Sequence, residues 1–193
     1  MKKGTLICVT AISAMLFSFK TTDATTWSVD KSHSKLGFTI THLMVSDVEG
    51  SFKSYDATIT ATKEDFTDAV VNMTADMNSV NTENDKRDEH LKGADFFDAA
   101  KFPTMTYKST SFKKASNGKY TVKGMLTLHG VTKPVELTAV ARMGTNPMSK
   151  ATVAGFKITG KIKRTDFGIS VGTPTSMLSN EVEITANAEF AKG

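Results

Sequence analysis

Between Tyr120 and Ala141 the apolar residues fall on every second position. Tyr120, Val122, Gly124, Leu126 and Leu128 alternate with Thr121, Lys123, Met125, Thr127 and His129. After the break from His129 to Pro134, the alternation resumes as Val135, Leu137, Ala139 and Ala141. A period of two sends successive side chains to opposite faces of a strand. Each of these strands therefore has one dry and one largely wet face. Pro134 cannot donate to a central ladder, so it belongs at a strand start or edge.

The same device recurs along the chain. Trp27-Ser28-Val29-Asp30 opens the patterned region, and Leu36, Phe38 and Ile40 mark a first long strand. Val48, Gly50 and Phe52 form a second set, which Tyr55, Ala57 and Ile59 continue in the opposite parity. That switch predicts a bulge or bend near Ser54. Ala69, Val71, Met73, Ala75 and Met77 alternate next, and Met105 and Tyr107 restart the pattern after an interruption. Asn117-Gly118 between two strand patterns predicts a tight hairpin turn, which needs positive φ at both central residues. Ala154, Phe156, Ile158, Gly160 and Ile162 follow; the outward row Lys157, Thr159, Lys161 and Lys163 reads as a solvated face. Val182, Ile184, Ala186, Ala188 and Phe190 mark the last strand.

One stretch breaks the rhythm. Asn84 to Lys92 is strongly charged and Gly93 follows as a C-terminal stop, which predicts a short helix from about Glu83 to Lys92. Asp95 to Asp98 reads as a second helical turn, ended at Phe102-Pro103. About eight strands with no βαβ alternation give an all-β fold, an antiparallel barrel or sandwich. Long strands with one dry face favour closure into an eight-stranded barrel with the helical insertion across one opening. The expected interior lining is Leu36, Phe38, Ile40, Phe52, Met73, Met77, Met105, Tyr107, Leu126, Leu128, Phe156, Ile158 and Ile184. Small inward residues such as Ala57, Gly124 and Gly160 either leave room for a ligand or let backbones pack closely, and both readings stand at this point.

Composition narrows the picture. The chain has 193 residues and a formal net charge of +4, a length for one domain or two very small ones. Met1-Lys2-Lys3, the apolar run from Leu6 to Phe19 and the small residue Ala24 read as a secretory signal peptide over residues 1–24. The domain is then 25–193, with 21 basic against 19 acidic residues. Such near-neutrality gives a nucleic-acid partner no support. The only cysteine, Cys8, lies inside the apolar run, so the exported domain has no disulfide framework and depends on its core.

Motifs for chemistry are weak. Gly168-Ile169-Ser170-Val171-Gly172 has the G-x-S-x-G spacing of hydrolases, but Thr173-Pro174 follows where a helix is required and no histidine lies downstream. His33, His42, His90 and His129 form no metal-binding spacing and have no cysteine partners. No catalytic residue, cofactor or metal site is therefore expected. Asp30, His33, Arg87, His90, Arg164 and Asp166 sit at strand ends or on the helix. They are read as a head-group site served by arginine, or as a salt-bridged polar plug tying the helix to the barrel mouth.

In order along the chain, these segments resemble the YceI-like polyisoprenoid-binding proteins. The resemblance rests on Trp27-x-Val29-Asp30-x-x-His33-Ser34, Phe38-x-Ile40-x-His42-Leu43-Met44 and Gly50-x-Phe52. It continues through Arg87-Asp88-x-His90-Leu91, Phe96-Phe97-Asp98, Phe102-Pro103, Gly124-x-Leu126-Thr127-Leu128-x-Gly130-Val131-Thr132-Lys133-Pro134-Val135 and Arg164-x-Asp166-Phe167-Gly168. It implies an eight-stranded lipocalin-like barrel in the periplasm that sequesters or carries a long isoprenoid, a quinone or a fatty amide, with no established catalytic residues. It leaves room for transient contact with a membrane or membrane protein and for a homodimer. The rival functions are a ligand-free structural or stress-response barrel and, more remotely, a hydrolase or metal-dependent enzyme.

Overall fold

The computed structural model describes residues 23–193; the expected signal peptide, up to residue 22, lies outside the described residues. Ten β segments and one helix follow in order: β1 (Thr25–His42), β2 (Ser46–Phe52), β3 (Tyr55–Ala61), β4 (Val70–Asp76), β5 (Val80–Asn81), α1 (Asp85–Lys92), β6 (Thr104–Lys114), β7 (Lys119–Leu128), β8 (Val131–Thr145), β9 (Thr152–Lys163) and β10 (Leu178–Lys192). All pairings are antiparallel, and β10 pairs back onto β1. That seam closes the sheet into a barrel and removes its open edge. β2 with β3, and β4 with β5, are single staves interrupted once, so the barrel has eight staves.

The interruptions are where the apolar parity changes. Phe52 and Tyr55 both face inward across the Lys53-Ser54 step, which leaves the ladder but still bonds the next stave through Lys53 to Ser79 and Asp76 to Ser54. β1 holds a second switch: Val29 and Leu36 both face in, and the register with β10 shifts between Asp30 and Lys35. At the hairpin between β6 and β7, Asn117 (φ 60°) and Gly118 (φ 71°) both take the left-handed conformation that the Asn-Gly pair predicts.

One end of the barrel is packed shut. The loop between β3 and β4 turns Phe66 inward at φ 57° and buries it. Its ring meets Trp27 at 5.3 Å and Phe156 at 5.2 Å between centroids. Phe156 meets Phe190 and Phe112, and Phe112 meets Tyr120. Polar contacts fix the loop outside this floor. Asp68 accepts from the Thr62 and Lys63 amides, Asp65 accepts from Lys114 at 2.9 Å, and the Tyr120 hydroxyl donates to the Asp65 carbonyl.

Two expectations are corrected here. Phe156 belongs to the aromatic floor, because it sits one pair of residues deeper on β9 than Ile158. Asp95–Asp98 forms turns and not a helical turn. The glycines on the dry face do not open space either: a Cβ on Gly50, Gly124 or Gly160 would overlap Phe38, Tyr107 or Leu137 respectively. The neighbouring side chains already occupy those gaps.

Candidate functional site

Above the floor the barrel encloses a cavity of about 880 Å³. Its walls carry the inward set from every stave. Leu36, Phe38, Ile40, Phe52, Met73, Met105, Tyr107, Leu126, Leu128, Ile158 and Ile184 all line it. Met77 does not, being buried to 1% exposure in the turn after β4. The volume lies within the roughly 300–1,000 Å³ range of small-molecule pockets, so a barrel with a side-chain-filled interior is not what this sequence builds.

Polar groups in the walls are few. Burial pushes the Tyr107 phenol up to about 12, and its hydroxyl donates to the Val122 carbonyl at 3.3 Å. The buried Tyr55 hydroxyl has no hydrogen-bond partner among the described residues. That hydroxyl is closed inside the wall and does not open onto the cavity, whose polar lining, including Arg87, His90 and Asp95, gathers at the mouth.

The opposite end is a mouth built from three pieces. The first is α1 and the turns after it. Asn84 caps α1 by accepting from the Arg87 amide, and buried Asp88 accepts from the Thr82 amide and hydroxyl at 2.8 and 2.6 Å. Arg87 reaches back to Thr82 through Nε and Nη2. Phe97 descends from this segment to pack against Phe38 and Phe52. The helix therefore caps one opening, with Arg87, His90, Leu91, Phe96 and Phe97 against the cavity.

The second piece is the strap from Arg164 to Met177. Arg164 is 2% exposed and donates to five backbone carbonyls: Ser179, Ile169, Ser170, Thr173 and Leu178. A guanidinium, with its fixed fork of donors, can serve five acceptors in this way. The Ser170 amide donates to the Asp95 carbonyl and ties the strap to the turns after α1. The third piece is the β1–β2 hairpin tip, where Leu43, Met44 and Val45 are 49%, 69% and 82% exposed. The Leu43 amide bonds the Met177 carbonyl, and exposed Val171 and Met177 extend the apolar rim.

The six expected polar residues do not assemble into one plug. Arg164 satisfies carbonyls and pairs with no carboxylate, and Asp166 is exposed. Arg87 and His90 stay on α1, where His90 stacks on Phe96. Asp30 and His33 lie on the outer wall at the β1 irregularity, joined at 2.8 Å. Sequence reasoning missed Phe97 and Tyr55. Phe96-Phe97 was a visible signal, an aromatic pair in a charged segment; the isolation of Tyr55 left none. Ser170 bonds Thr173 while His129 bonds the Phe167 carbonyl, so the G-x-S-x-G residues show no serine–histidine pair.

With this geometry in view, comparison with known proteins is decisive. The YceI-like domain model matches residues 27–190. The chain belongs to this family. It is 39% identical over 181 residues to "Protein YceI" of Salmonella newport, covering 92% of this chain and 93% of the relative. The Campylobacter jejuni YceI protein structure aligns with TM-score 0.71 and 35% identity, over 78% of this chain and 88% of that one. BcnA of Burkholderia cenocepacia aligns with TM-score 0.71 at 27% identity, over 83% and 98%. A polyisoprenoid-binding domain from Saccharophagus degradans shares the fold at TM-score 0.62 and 17% identity, over 86% and 98%.

Proposed function

We propose that this YceI-like barrel binds one long amphiphile of isoprenoid, quinone or fatty-amide type, and sequesters or carries it in the periplasm without chemical change. The observation that carries the reading is the apolar cavity of about 880 Å³, walled by Leu36, Phe38, Leu126 and Ile158 and reached from the α1 end. Burying an apolar tail there yields about 25 cal/mol per Å², so affinity needs few polar contacts. The family membership and the shared fold with a polyisoprenoid-binding domain support the same ligand class. The apolar rim of Leu43, Met44 and Val45 suits ligand entry from a membrane or membrane protein. Export rests on the n-region and apolar run at the N-terminus, with processing near Ala24.

Native mass spectrometry of protein purified from its own cell envelope tests this directly. The expected result is a co-purifying lipid. In parallel, Ile158→Trp should fill the tunnel and weaken a fluorescent isoprenoid about tenfold or more while circular dichroism stays β-type. An empty protein that also fails to bind the isoprenoid would return the ligand-free structural barrel.

A further inference from the structure

The seam that closes the barrel carries a charge conflict on its outer face. Asp30 of β1 and Glu189 of β10 are direct cross-strand partners. Their inward neighbours Val29 and Phe190 are likewise paired, so both carboxylates point outward, side by side. Like charges directly opposite in an antiparallel pair destabilise it. Among the described residues no lysine or arginine pairs with either group; the nearby Lys31 is bonded to Asp56 instead.

Ser32 bonds Asp30 Oδ1 through its amide and hydroxyl at 2.9 and 2.6 Å, and the fold brings an imidazole to the other carboxylate oxygen. The register shift between Asp30 and Lys35 swings His33 back over the seam, with Nδ1 2.8 Å from Asp30. Ser34 pins the shift by accepting the Glu189 amide at 2.9 Å. One ligand atom from each of Asp30, His33 and Glu189 lies within 4.8 Å of the others. Zinc-type ions bind imidazole nitrogen and carboxylate oxygen at about 2.0–2.2 Å, so ligand atoms on one ion stand roughly 3.4 Å apart: His33 and Asp30, at 2.8 Å, have to open slightly and Glu189 to approach. Glu189 and His33 are long or exposed enough to do so by rotating.

We propose that Asp30, His33 and Glu189 form a surface site for a divalent transition cation of the zinc, cobalt or nickel class, which clamps β1 to β10 across the closing seam. The cation takes the place of the proton shared by Nδ1 and Asp30, neutralises the facing carboxylates and keeps outer positions open to water. One nitrogen and two oxygens suit these ions better than calcium or magnesium, which prefer all-oxygen shells. The site is separate from the lipid cavity, on the other side of the barrel wall.

The test uses the full chain, freed of metal with EDTA and titrated with ZnCl2 and, for its visible absorption, CoCl2. One saturable equivalent is expected, with a rise in melting temperature, because a ligand that binds only the folded state stabilises it. His33→Ala and Glu189→Gln should each weaken binding about tenfold or more and remove the melting shift. Asp56→Asn, an equal charge change outside the triad, should retain both. The cobalt spectrum of the wild type should show nitrogen–oxygen ligation that His33→Ala abolishes. Absence of saturable binding overturns the proposal, as does binding that His33→Ala leaves unchanged. Since none of these readouts involves lipid, they are independent of the carrier reading.

Discussion

The two ends of the barrel are made from the same alternating strands but by different means. At the floor, Phe66, Phe156, Phe112, Phe190 and Trp27 interlock with ring centroids 5.2 to 6.2 Å apart, and polar groups only brace the outside. At the mouth, α1 and the Arg164 strap are held largely by hydrogen bonds to backbone carbonyls, and large apolar residues stay exposed. Close apolar packing yields a rigid wall. The strap does bury Arg164, Phe167 and Ile169, but its remaining length is exposed and hydrogen-bonded, and such segments open at lower free energy than a packed core. The molecule thus has one end closed by aromatic packing and one end closed by hydrogen-bonded segments, the end through which the proposed ligand would pass.

The largest expected effect is at the floor. Phe66→Ala removes a fully buried ring and should cost about 3–5 kcal/mol, read from urea unfolding. Phe97→Ala, which removes a half-buried mouth aromatic, should cost clearly less. Equal losses would break the distinction between the two ends. Next in size is Arg164→Met. It keeps an aliphatic stem but strands buried carbonyls, at about 1–3 kcal/mol. Protease cleavage between Ile169 and Met177 should quicken in that variant well before global unfolding. If cleavage instead begins in the 62–69 loop, the strap is not the weaker element.

A smaller effect concerns acid. The Lys114 ammonium, helped by Thr67, holds the Asp65 carboxyl at about 2, below its ordinary 3.8. Its contribution to the floor is fully present above the unfolded value and is lost as pH falls through about 2. Wild type should therefore exceed Asp65→Asn in stability near neutrality, and the two denaturation curves should converge in strong acid. A gap that persists at low pH would assign the effect to something other than the carboxylate. Smallest of all, Leu43→Ser with Val45→Ser should shift stability by no more than about 0.5 kcal/mol. The same pair should slow uptake of isoprenoid from vesicles. Unchanged uptake would remove the rim from the entry route.

Much of this was legible in the strand alternation. The parity switch between Phe52 and Tyr55, the Asn117-Gly118 turn, the charged helical insertion and the inward face of each stave all follow from local rules. A strand's period is set by covalent geometry, and a turn's by allowed φ. The motif set from Trp27 to Gly168 was enough to place the family.

Depth along the barrel was not legible, because parity names a face and not a height. Phe156 and Ile158 share strand and parity, yet one seals the floor and the other lines the cavity. Nor were the partners of Arg164, since backbone carbonyls carry no side-chain signature and only the folded strap brings five of them to one guanidinium. The meeting of Asp30, His33 and Glu189 was equally hidden. Those residues come from opposite ends of the chain, and their contact exists only because the sheet closes on itself in one register.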